Sequence, residues 1–312
     1  MGKPSVSILC ITYNHQKYIA RCIESLINQQ TNFEYVIIIN DDCSQDKTSY
    51  ICSEYEKKYP EKIIYSKNNK NLGMNANFVQ TYNKCLETKS KYIAQIGGDD
   101  FWIDTKKLQK QYDILEANSE IVLCYSNSFY IIEEIESEKK AMIRTKPNPT
   151  IFNLEYLINH DFFTIPAHTI MFRSDAFPVP TPDFVFNSFN SDWALKLLII
   201  DKGKAAYLDE FTAVYRKHSM GITSTSKEHE VLLDRLVLNK NLDKYFNYKY
   251  HHVFGKRLWH YKGLAIAYFR NKNYVKGSYW FLRCIFRNPV ETFADSYFLK
   301  TLFVVLFYKQ KK

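Results

Sequence analysis

Two pairs of adjacent aspartates stand immediately after hydrophobic runs of the sequence. Asp99 and Asp100 follow "YIAQIGG", and Asp41 and Asp42 follow "YVIIIN". Carboxylates placed side by side repel one another unless a cation or a hydrogen-bonding ligand compensates their charge. A polar turn is the simpler interpretation, because Gly and Asp are common turn residues. The repetition of the pattern favours a ligand or cation site over two unrelated turns.

Hydrophobic strand patterns and amphipathic helix patterns alternate along the N-terminal third of the chain. The strand patterns lie at 5–14, 34–42, 62–68 and 91–100, and the helix patterns between them lie at 16–29, 49–59 and 74–89. This alternation predicts βαβ units and a parallel sheet covered by helices on both faces. Such sheets bind ligands at the carboxyl ends of their strands. Thr12, Tyr13 and Asn14, which end the first strand pattern, are expected to join the aspartates there.

The composition limits the classes of protein and of partner. The chain has 312 residues, of which 46% are hydrophobic, and a formal net charge of +9. Its length and composition indicate a globular protein with a sizeable core. Seven cysteines without a close CxxC pair, and an N-terminus unlike a signal peptide, predict the reducing cytosol. The positive charge indicates a polyanionic partner, which is nucleic acid, nucleotide phosphate or an anionic membrane surface.

The middle section of the chain is less regular than the first. We predict a charged, proline-containing loop at 133–150, a helix that begins at Ser191 and Asp192, and a strand that ends near Arg216 and His218.

Beyond about residue 226 the sequence predicts helices rich in aromatic residues and lysine. The stretch 269–289 is typical of a helix hairpin. The apolar segment after Phe293 is shorter than the roughly 20 residues that span a bilayer, and a basic tail follows it. It is either an amphipathic anchor on an anionic membrane surface or a helix packed on the protein.

Six motifs carry a resemblance to a known family. They are, in order, "VSILCITYN", "VIIINDDCSQDKT", "NKNLGMNANFVQ", "YIAQIGGDDFWIDTKKLQKQ", "SDWALKLLII" and "YLDEFTAVYRKH". In this series the chain resembles the family 2 glycosyltransferases with the GT-A fold. The resemblance implies an α/β fold, Rossmann-like, with a mainly parallel central sheet and flanking helices. It implies a catalytic domain at 1–225, with a nucleotide-sugar half at 1–105 and an acceptor half at 106–225. The helical region at 226–312 lies beyond the resemblance, which covers about residues 4–225.

The family also implies an activity. A sugar would be moved with inversion from a nucleotide-sugar, usually a UDP-sugar, to an acceptor hydroxyl, as in a hexosyl- or N-acetylhexosaminyltransferase. A divalent cation, Mn²⁺ or Mg²⁺, would neutralise the diphosphate leaving group. The acceptor would be a glycan or a lipid-linked glycan, in polysaccharide assembly at the cytoplasmic face of a membrane.

Residues of the donor site follow from the matching motifs. The resemblance assigns to donor binding Thr12, Tyr13, Asn14, Asp41, Asp42, Gly73, Asn75, Asn77, Gly98, Asp99 and Asp100. A carboxylate on a rigid strand end can accept a hydrogen bond from the imide N–H of a nucleotide base, and Asp42 fits this role. Helix capping is the alternative role for Asp41, Asn75 and Asn77.

The metal, the base and the acceptor contacts come from the later motifs. Asp99 and His218 would hold the cation, although Gly97 stands where the family usually has the first Asp of Asp-X-Asp. Asp192 would be the general base that takes the acceptor's proton, with a helix cap as its alternative role. Acceptor contacts are expected from Trp102, His168 and Trp193, although such tryptophans are more often core residues than platforms for sugar stacking.

Two other functions remain open from the sequence. A nucleotidyltransferase would also use an α/β sheet and carboxylate-bound metal, but "ITYNHQKY" lacks the glycines of a phosphate loop. A catalytically silent nucleotide-sugar-binding protein is the second alternative, and Gly97 is the observation that favours it. Nucleic acid is not an expected partner, because no recognisable binding module is present. The sugar, the acceptor, the linkage and the oligomeric state are left open.

Overall fold

The structure, a computed structural model, describes residues 3–133, 135–160, 165–219, 221 and 227–308. It contains a ten-stranded sheet. The strands are β1 Val6–Thr12, β2 Tyr35–Asp41, β3 Ile63–Lys67, β4 Tyr92–Gly97, β5 Phe101–Trp102, β6 Ile121–Ile132, β7 Ile135–Ala141, β8 Ile151–Asn153, β9 Met171–Arg173 and β10 Lys204–Lys217.

Helices connect the strands of the N-terminal part and make up the C-terminal part. They are α1 Ile19–Ile27, α2 Thr48–Lys58, α3 Met74–Glu87, α4 Lys107–Ala117, α5 Leu154–Asn159, α6 Asp183–Phe186, α7 Ser191–Ile200, α8 Glu228–Tyr245, α9 His251–Phe254, α10 Leu258–Arg270, α11 Tyr274–Arg287, α12 Pro289–Ala294 and α13 Ser296–Phe303.

The sheet is mainly parallel, as predicted. Its strand order is β3-β2-β1-β4-β9-β6-β10-β5, with β7 paired to β6 and β8 paired to β10. The first four strands of this order are parallel, and so are β6 and β10. The short strand β9 lies antiparallel between β4 and β6.

Burial explains why these residues form these elements. Strand β2 is buried along its whole length, which is why it is an almost unbroken hydrophobic run. Helix α1 buries Ile19, Cys22, Ile23 and Leu26, whose spacing of three and four residues places them on one face. That face packs into the core beneath the sheet edge that carries the predicted site.

The prediction of a loop at 133–150 is wrong in part. Residues Ile135–Ala141 form strand β7, which pairs antiparallel with β6, so that Phe129 lies opposite Ala141. The charged composition favours a loop, but an edge strand needs few apolar residues and is commonly rich in lysine. Pairing with β6 therefore overrides the local composition.

A short antiparallel ladder brings the end of β10 to the two aspartates after β4. Val214 lies opposite Phe101, and Ala213 lies opposite Trp102. Continuing this register places Arg216 and the following residues of β10 beside Asp99 and Asp100. The last strand of the sheet thus reaches the end of β4, although more than 110 residues of sequence separate them.

The described residues form two compact units. Among the described residues, the first unit lies within 3–186 and 191–221, and the second lies within 187–190 and 227–308. In the second, the stretch 269–289, which the sequence predicts as a helix hairpin, contains one whole helix, α11, and only the ends of α10 and α12. Helix α11 packs against α10, and Phe298 and Leu302 of α13 pack against α10 residues Ala265 and Phe269. None of the described helices is both long enough and apolar enough to cross a membrane.

Candidate active site

Two histidines face the carboxylate of Asp99 at the carboxyl edge of the sheet. His218 Nε2 lies 3.1 Å and His15 Nε2 lies 3.8 Å from the same oxygen, Asp99 Oδ2. One ligand atom from each residue lies within 4.8 Å of the other two. Asp99 and His218 come together as the sequence predicted, and His15 is an addition to the predicted pair. One carboxylate and two imidazoles can hold a divalent cation.

His15 is held in a state that can bind a cation. Its Nδ1 lies 3.2 Å from the hydroxyl of Thr12, which leaves Nε2 facing Asp99. Burial lowers the pKa of His15 below its ordinary value, so the ring is neutral at neutral pH. A neutral imidazole is the form that binds metals. Thr12 therefore orients the histidine from the end of β1, in addition to its predicted position in the donor site.

The two adjacent aspartates have opposite electrostatic properties. Burial acts to raise the pKa of Asp99, but His15 and the hydrogen bond from His218 outweigh it and hold that pKa below its ordinary value. Asp100 is 5% exposed, and burial, reinforced by the charge of Asp99, raises its pKa well above the ordinary value. Asp99 is thus an anionic group that could hold a cation, and Asp100 is a buried structural acceptor.

Arg216 fixes the two aspartates from β10. Its backbone N–H donates to Asp100 Oδ1 at 2.9 Å, and its guanidinium donates to the backbone carbonyl of Asp99. The guanidinium is buried between the rings of Tyr18 and Phe101, with centroid distances of 4.8 and 4.9 Å. The cationic side chain therefore fixes the backbone from which the Asp99 side chain projects.

The two glycines before the aspartates make room for the site. A Cβ on Gly98 would lie 2.7 Å from Thr12 Oγ1 and 2.9 Å from Ile19 Cδ1, so only glycine fits against the end of β1. A Cβ on Gly97 would lie 2.6 Å from Asp99 Oδ1. A side chain at position 97 would displace the Asp99 carboxylate from its present orientation.

The carboxylates at the end of β2, Asp41 and Asp42, organise loops around the predicted donor pocket. Asp42 Oδ1 accepts from Asn68 Nδ2 and from the backbone N–H of Leu72, and Oδ2 accepts from the N–H of Gly73 at 2.8 Å. Asp41 is fully buried and accepts from the side chains of Ser44, Ser49 and Tyr65, and from the N–H of Ser44. These bonds hold Asp42 at the strand end, where its contact with a nucleotide base stays a prediction.

The residues after β1 and before α3 form the other walls. Asn14 has a positive φ of 54° and accepts from the N–H of Gln45 at 2.8 Å, which joins the loops after β1 and β2. Tyr13 is 40% exposed, so part of its ring is accessible. Gly73 has a φ of 84°, a conformation that favours glycine, immediately before α3.

The two asparagines of α3 that are predicted to bind the donor, Asn75 and Asn77, have intramolecular partners. Asn77 is buried and bonded to Asn40 and Asn68, so it holds the ends of β2 and α3 together. Asn75 donates to the carbonyl of Phe186 at 2.6 Å and accepts from the hydroxyl of Ser191 at 2.7 Å. Asn75 thus fixes the beginning of α7. Sugar or ribose contacts by these two residues stay a prediction.

Asp192 lies in the first turn of α7 with a cationic partner. Lys196, one turn later, donates to Asp192 Oδ2 at 2.8 Å and to the carbonyl of Ile165 at 2.7 Å. The lysine side chain is 5% exposed, whereas that of Asp192 is 46% exposed. Partial burial favours the protonated acid, but Lys196 outweighs it and lowers the pKa of Asp192. Asp192 is an ionised, accessible and oriented carboxylate.

The three predicted acceptor residues differ in exposure. Trp193 is half-buried beside Asp192, whereas Trp102 is 4% exposed and belongs to the core, where its indole N–H donates to the carbonyl of His168. His168 is also buried, and its Nδ1 lies 3.7 Å from Asp100 Oδ2. Burial lowers the pKa of His168 to about 3. The burial of Trp102 and His168 favours a positioning role, and acceptor contact stays a prediction.

Three residues of the site were missed from the sequence. His15 follows the end of β1 by three positions, just beyond the hydrophobic pattern that marks the strand. Arg216 lies two positions before His218, and alternate residues of a strand share a face. Lys196 follows Asp192 by four positions, the spacing at which helical side chains meet. Each of these spacings can be recognised in the sequence, but the pairing of β10 with β5 cannot.

Comparison with known proteins identifies the family. Residues 7–178 match the model of glycosyl transferase family 2. An uncharacterized protein of Mycobacterium tuberculosis is 30% identical over 217 residues, which are 70% of this chain and 60% of that protein. This chain therefore spans less than two thirds of the length of that relative.

Two solved structures share the fold. Staphylococcus aureus TarS 1–349 in complex with UDP-GlcNAc has a TM-score of 0.57 and 14% identity, covering 85% of this chain and 72% of TarS. A mannosyltransferase from Pyrobaculum calidifontis in complex with GDP-Man and Mn²⁺ has a TM-score of 0.53 and 10% identity, covering 99% of this chain and 88% of the neighbour. Both likenesses agree with the predicted GT-A fold. The chain belongs to glycosyl transferase family 2.

Proposed function

We propose that the protein transfers a sugar, with inversion, from a nucleotide-sugar to a hydroxyl of a glycan or lipid-linked glycan. The observation that carries the proposal is the cluster of His15, Asp99 and His218 at the carboxyl edge of a family 2 sheet. Support for the donor class comes from the two structural neighbours, which hold UDP-GlcNAc and GDP-Man. A UDP-sugar is the proposed donor, following the usual preference of the family. A hexosyl or N-acetylhexosaminyl group is the sugar proposed to be transferred.

The cluster fits a divalent cation as judged by its donor atoms. Asp99 supplies an anionic oxygen, and His15 and His218 supply imidazole nitrogens at compatible separations. Mixed oxygen and imidazole ligands suit Mn²⁺ better than Mg²⁺, which prefers oxygen alone. When bound, the cation would neutralise the charge that develops on the diphosphate as the glycosidic bond breaks.

The protein residues around the cluster have separate tasks in this proposal. Thr12 orients His15, and Arg216 fixes the backbone of Asp99, so the ligands are arranged before the donor arrives. Asp42 and the loop that it holds at Leu72 and Gly73 would contact the nucleotide. Preorganisation of this kind lowers the cost of ordering the site on binding.

Asp192 would take the proton of the acceptor hydroxyl. The carboxylate must be ionised to do so, and the ion pair with Lys196 keeps it ionised at neutral pH. Lys196 and the Asn75–Ser191 hydrogen bond also fix the direction of Asp192 at the start of α7. In an inverting displacement this base acts on the face of the sugar opposite the leaving group.

A nucleotide-release assay tests the proposal. The protein is incubated with a panel of nucleotide-sugars and Mn²⁺, and released nucleotide is measured with and without chelator. We expect slow release from at least one UDP-sugar, loss of release in chelator, and loss in Asp99→Asn but not in the exposed control Asp201→Asn.

Two results would contradict the proposal in different ways. Nucleotide-sugar binding without turnover would support the silent binding protein. Undiminished release in excess chelator would remove the metal from the function while leaving the transfer in place. The acceptor and its location at the cytoplasmic face of a membrane are part of the same proposal and need a glycan acceptor panel.

A further inference from the structure

The positive charge of the protein is concentrated in its C-terminal region. Residues 227–312 contain 17 Lys and Arg and 6 Asp and Glu, whereas residues 1–226 contain 25 and 27. Between Asp243 and Glu291 the sequence contains ten basic residues and no acidic residue. The net charge of +9 therefore belongs to the helical region and not to the sheet that carries the candidate active site.

Helix α11 is apolar on two opposite faces. Its inner face packs Cys284 and Trp280 against Leu258 and Tyr261 of α10. Its outer face is a stripe of exposed side chains, which we call the outer stripe: Val275, Tyr279, Leu282 and Phe286. The spacings of four, three and four residues align these side chains on one side of the helix.

The exposure of the outer stripe is high. Val275 and Phe286 are each 84% exposed, and Tyr279 and Leu282 are 48% and 49% exposed. Scattered single apolar residues are normal on a surface, but an aligned stripe marks an interaction site. Further exposed apolar side chains follow on α12 and α13, namely Val290, Phe293 and Tyr297.

Basic side chains border the outer stripe. Lys276, Arg283 and Arg287 are exposed and lie along one edge of it, about a quarter turn from its centre on a helix of 3.6 residues per turn. Arg283 donates to the hydroxyl of Tyr279 at 2.8 Å, which holds the guanidinium beside the stripe. An apolar face with a basic edge is the pattern of a helix that lies in a membrane interface.

We propose that α11 binds an anionic lipid bilayer through the outer stripe, with Lys276, Arg283 and Arg287 at the level of the headgroups. Charge complementarity favours an anionic bilayer over a second copy of the chain as the partner of this basic surface. A second copy of the chain would bring two basic surfaces together without an acidic partner, which is unfavourable. Nucleic acid would satisfy the charge but would leave the aliphatic side chains of Val275 and Leu282 without an apolar environment. Lipid binding by α11 does not depend on the proposed sugar transfer.

The terminal segment after Phe293 is not the proposed membrane contact. Phe298 and Leu302 of α13 are 2% and 8% exposed, so part of that apolar run is used for packing within the helical unit. The basic end of the tail, residues 309–312, lies outside the described residues. The proposed membrane contact is therefore on α11, upstream of the segment after Phe293 that the sequence suggests.

Vesicle sedimentation with the full chain tests the proposal. The vesicles are phosphatidylcholine alone or an equal mixture with phosphatidylglycerol, each at 50 and 500 mM salt. We expect binding to the anionic vesicles, at least tenfold weaker binding to phosphatidylcholine, and weaker binding at high salt. The variant Leu282→Gln/Phe286→Gln and the variant Arg283→Glu/Arg287→Glu should each reduce binding to anionic vesicles by tenfold or more.

The controls distinguish binding through the outer stripe from nonspecific adhesion and from misfolding. Tyr50→Gln removes an apolar side chain that is 65% exposed on α2 and should leave vesicle binding unchanged. All variants should keep the melting temperature and the rate of nucleotide release, because the changed residues are exposed and lie outside the candidate active site. Unchanged vesicle binding by either double variant would overturn the proposal. So would a dimer, measured by light scattering, that Leu282→Gln/Phe286→Gln dissociates.

Discussion

Replacement of Lys107 by Met should make the protein more stable at acidic pH, and the gain should shrink as the pH rises. Lys107 opens α4 and is completely buried. Its ammonium group lies 4.1 Å from the ring centroid of Trp102 and donates to Gln111 Oε1 at 2.6 Å. Burial lowers the pKa of Lys107 from 10.5 to about 7. Methionine has a similar length and no charge to bury.

The sign follows from the protons bound in each state. Below pH 7 the lysine is protonated in both the native and the unfolded protein, so the full cost of burying the charge is present. Between pH 7 and about 10.4 the unfolded chain binds the proton and the native protein does not, so wild-type stability rises with pH. The native pKa of about 7 corresponds to a cost of about 4–5 kcal/mol at pH 6 and about 2 kcal/mol at pH 9.

The measurable quantity is the change in the stability difference between Lys107→Met and wild type. It should fall by about 3 kcal/mol from pH 6 to pH 9, as measured by urea unfolding. Terms independent of pH cancel in this change, including the lost hydrogen bond to Gln111, which is worth about 1–3 kcal/mol. The exposed control Lys202→Met should show a constant difference. A constant difference for Lys107→Met as well would refute the assigned burial of a lysine with a lowered pKa.

Four further outcomes concern the candidate active site. His15→Gln should raise the Mn²⁺ concentration for half-maximal nucleotide release by tenfold or more, with the metal-free melting temperature unchanged; an unchanged Mn²⁺ requirement would contradict its role as a ligand. Asp192→Asn should reduce transfer by a factor on the order of 10² to 10⁴ while calorimetry shows donor affinity retained, and near-normal transfer would remove Asp192 as the base. Lys196→Met should raise the pKa of Asp192, so the acid limb of the transfer rate should move to higher pH; an unmoved limb would show that the ion pair does not control the base. Gly98→Ala should lower the stability by about 1–3 kcal/mol in urea unfolding because its Cβ meets Thr12 and Ile19, and wild-type stability would contradict the close packing.

The fold could be predicted further than the site. The alternation of strands and helices identified the parallel half of the sheet, because hydrophobic periodicity reports burial directly. It also placed Asp99 beside the ends of β1 and β2, since the carboxyl ends of parallel strands share an edge. The antiparallel insertion of β9 and the strand β7 were not predicted, because pairing between distant segments leaves little local signal.

The residues of the site could be predicted only where they belong to the motifs of the family. Asp99 and His218 were paired by the family pattern, but the roles of Asp100 and Arg216 depend on the ladder between β5 and β10. Burial raises the pKa of Asp100, whereas His15 and His218 hold the pKa of its neighbour Asp99 below the ordinary value, and both effects are likewise properties of the tertiary structure. Two adjacent aspartates are identical in the sequence and differ only in what surrounds them.

The departure from the family pattern at Gly97 has a physical basis in this arrangement. A carboxylate at position 97 would add a negative charge beside Asp99 and the buried Asp100, and its Cβ would collide with Asp99 Oδ1. Glycine removes both problems and lets Asp99 turn toward His15 and His218. Under the proposed function the cation would then be held by one carboxylate and two imidazoles. That ligand set carries less negative charge than two carboxylates, so the diphosphate of the donor must supply more of the compensation, and metal and donor should bind cooperatively.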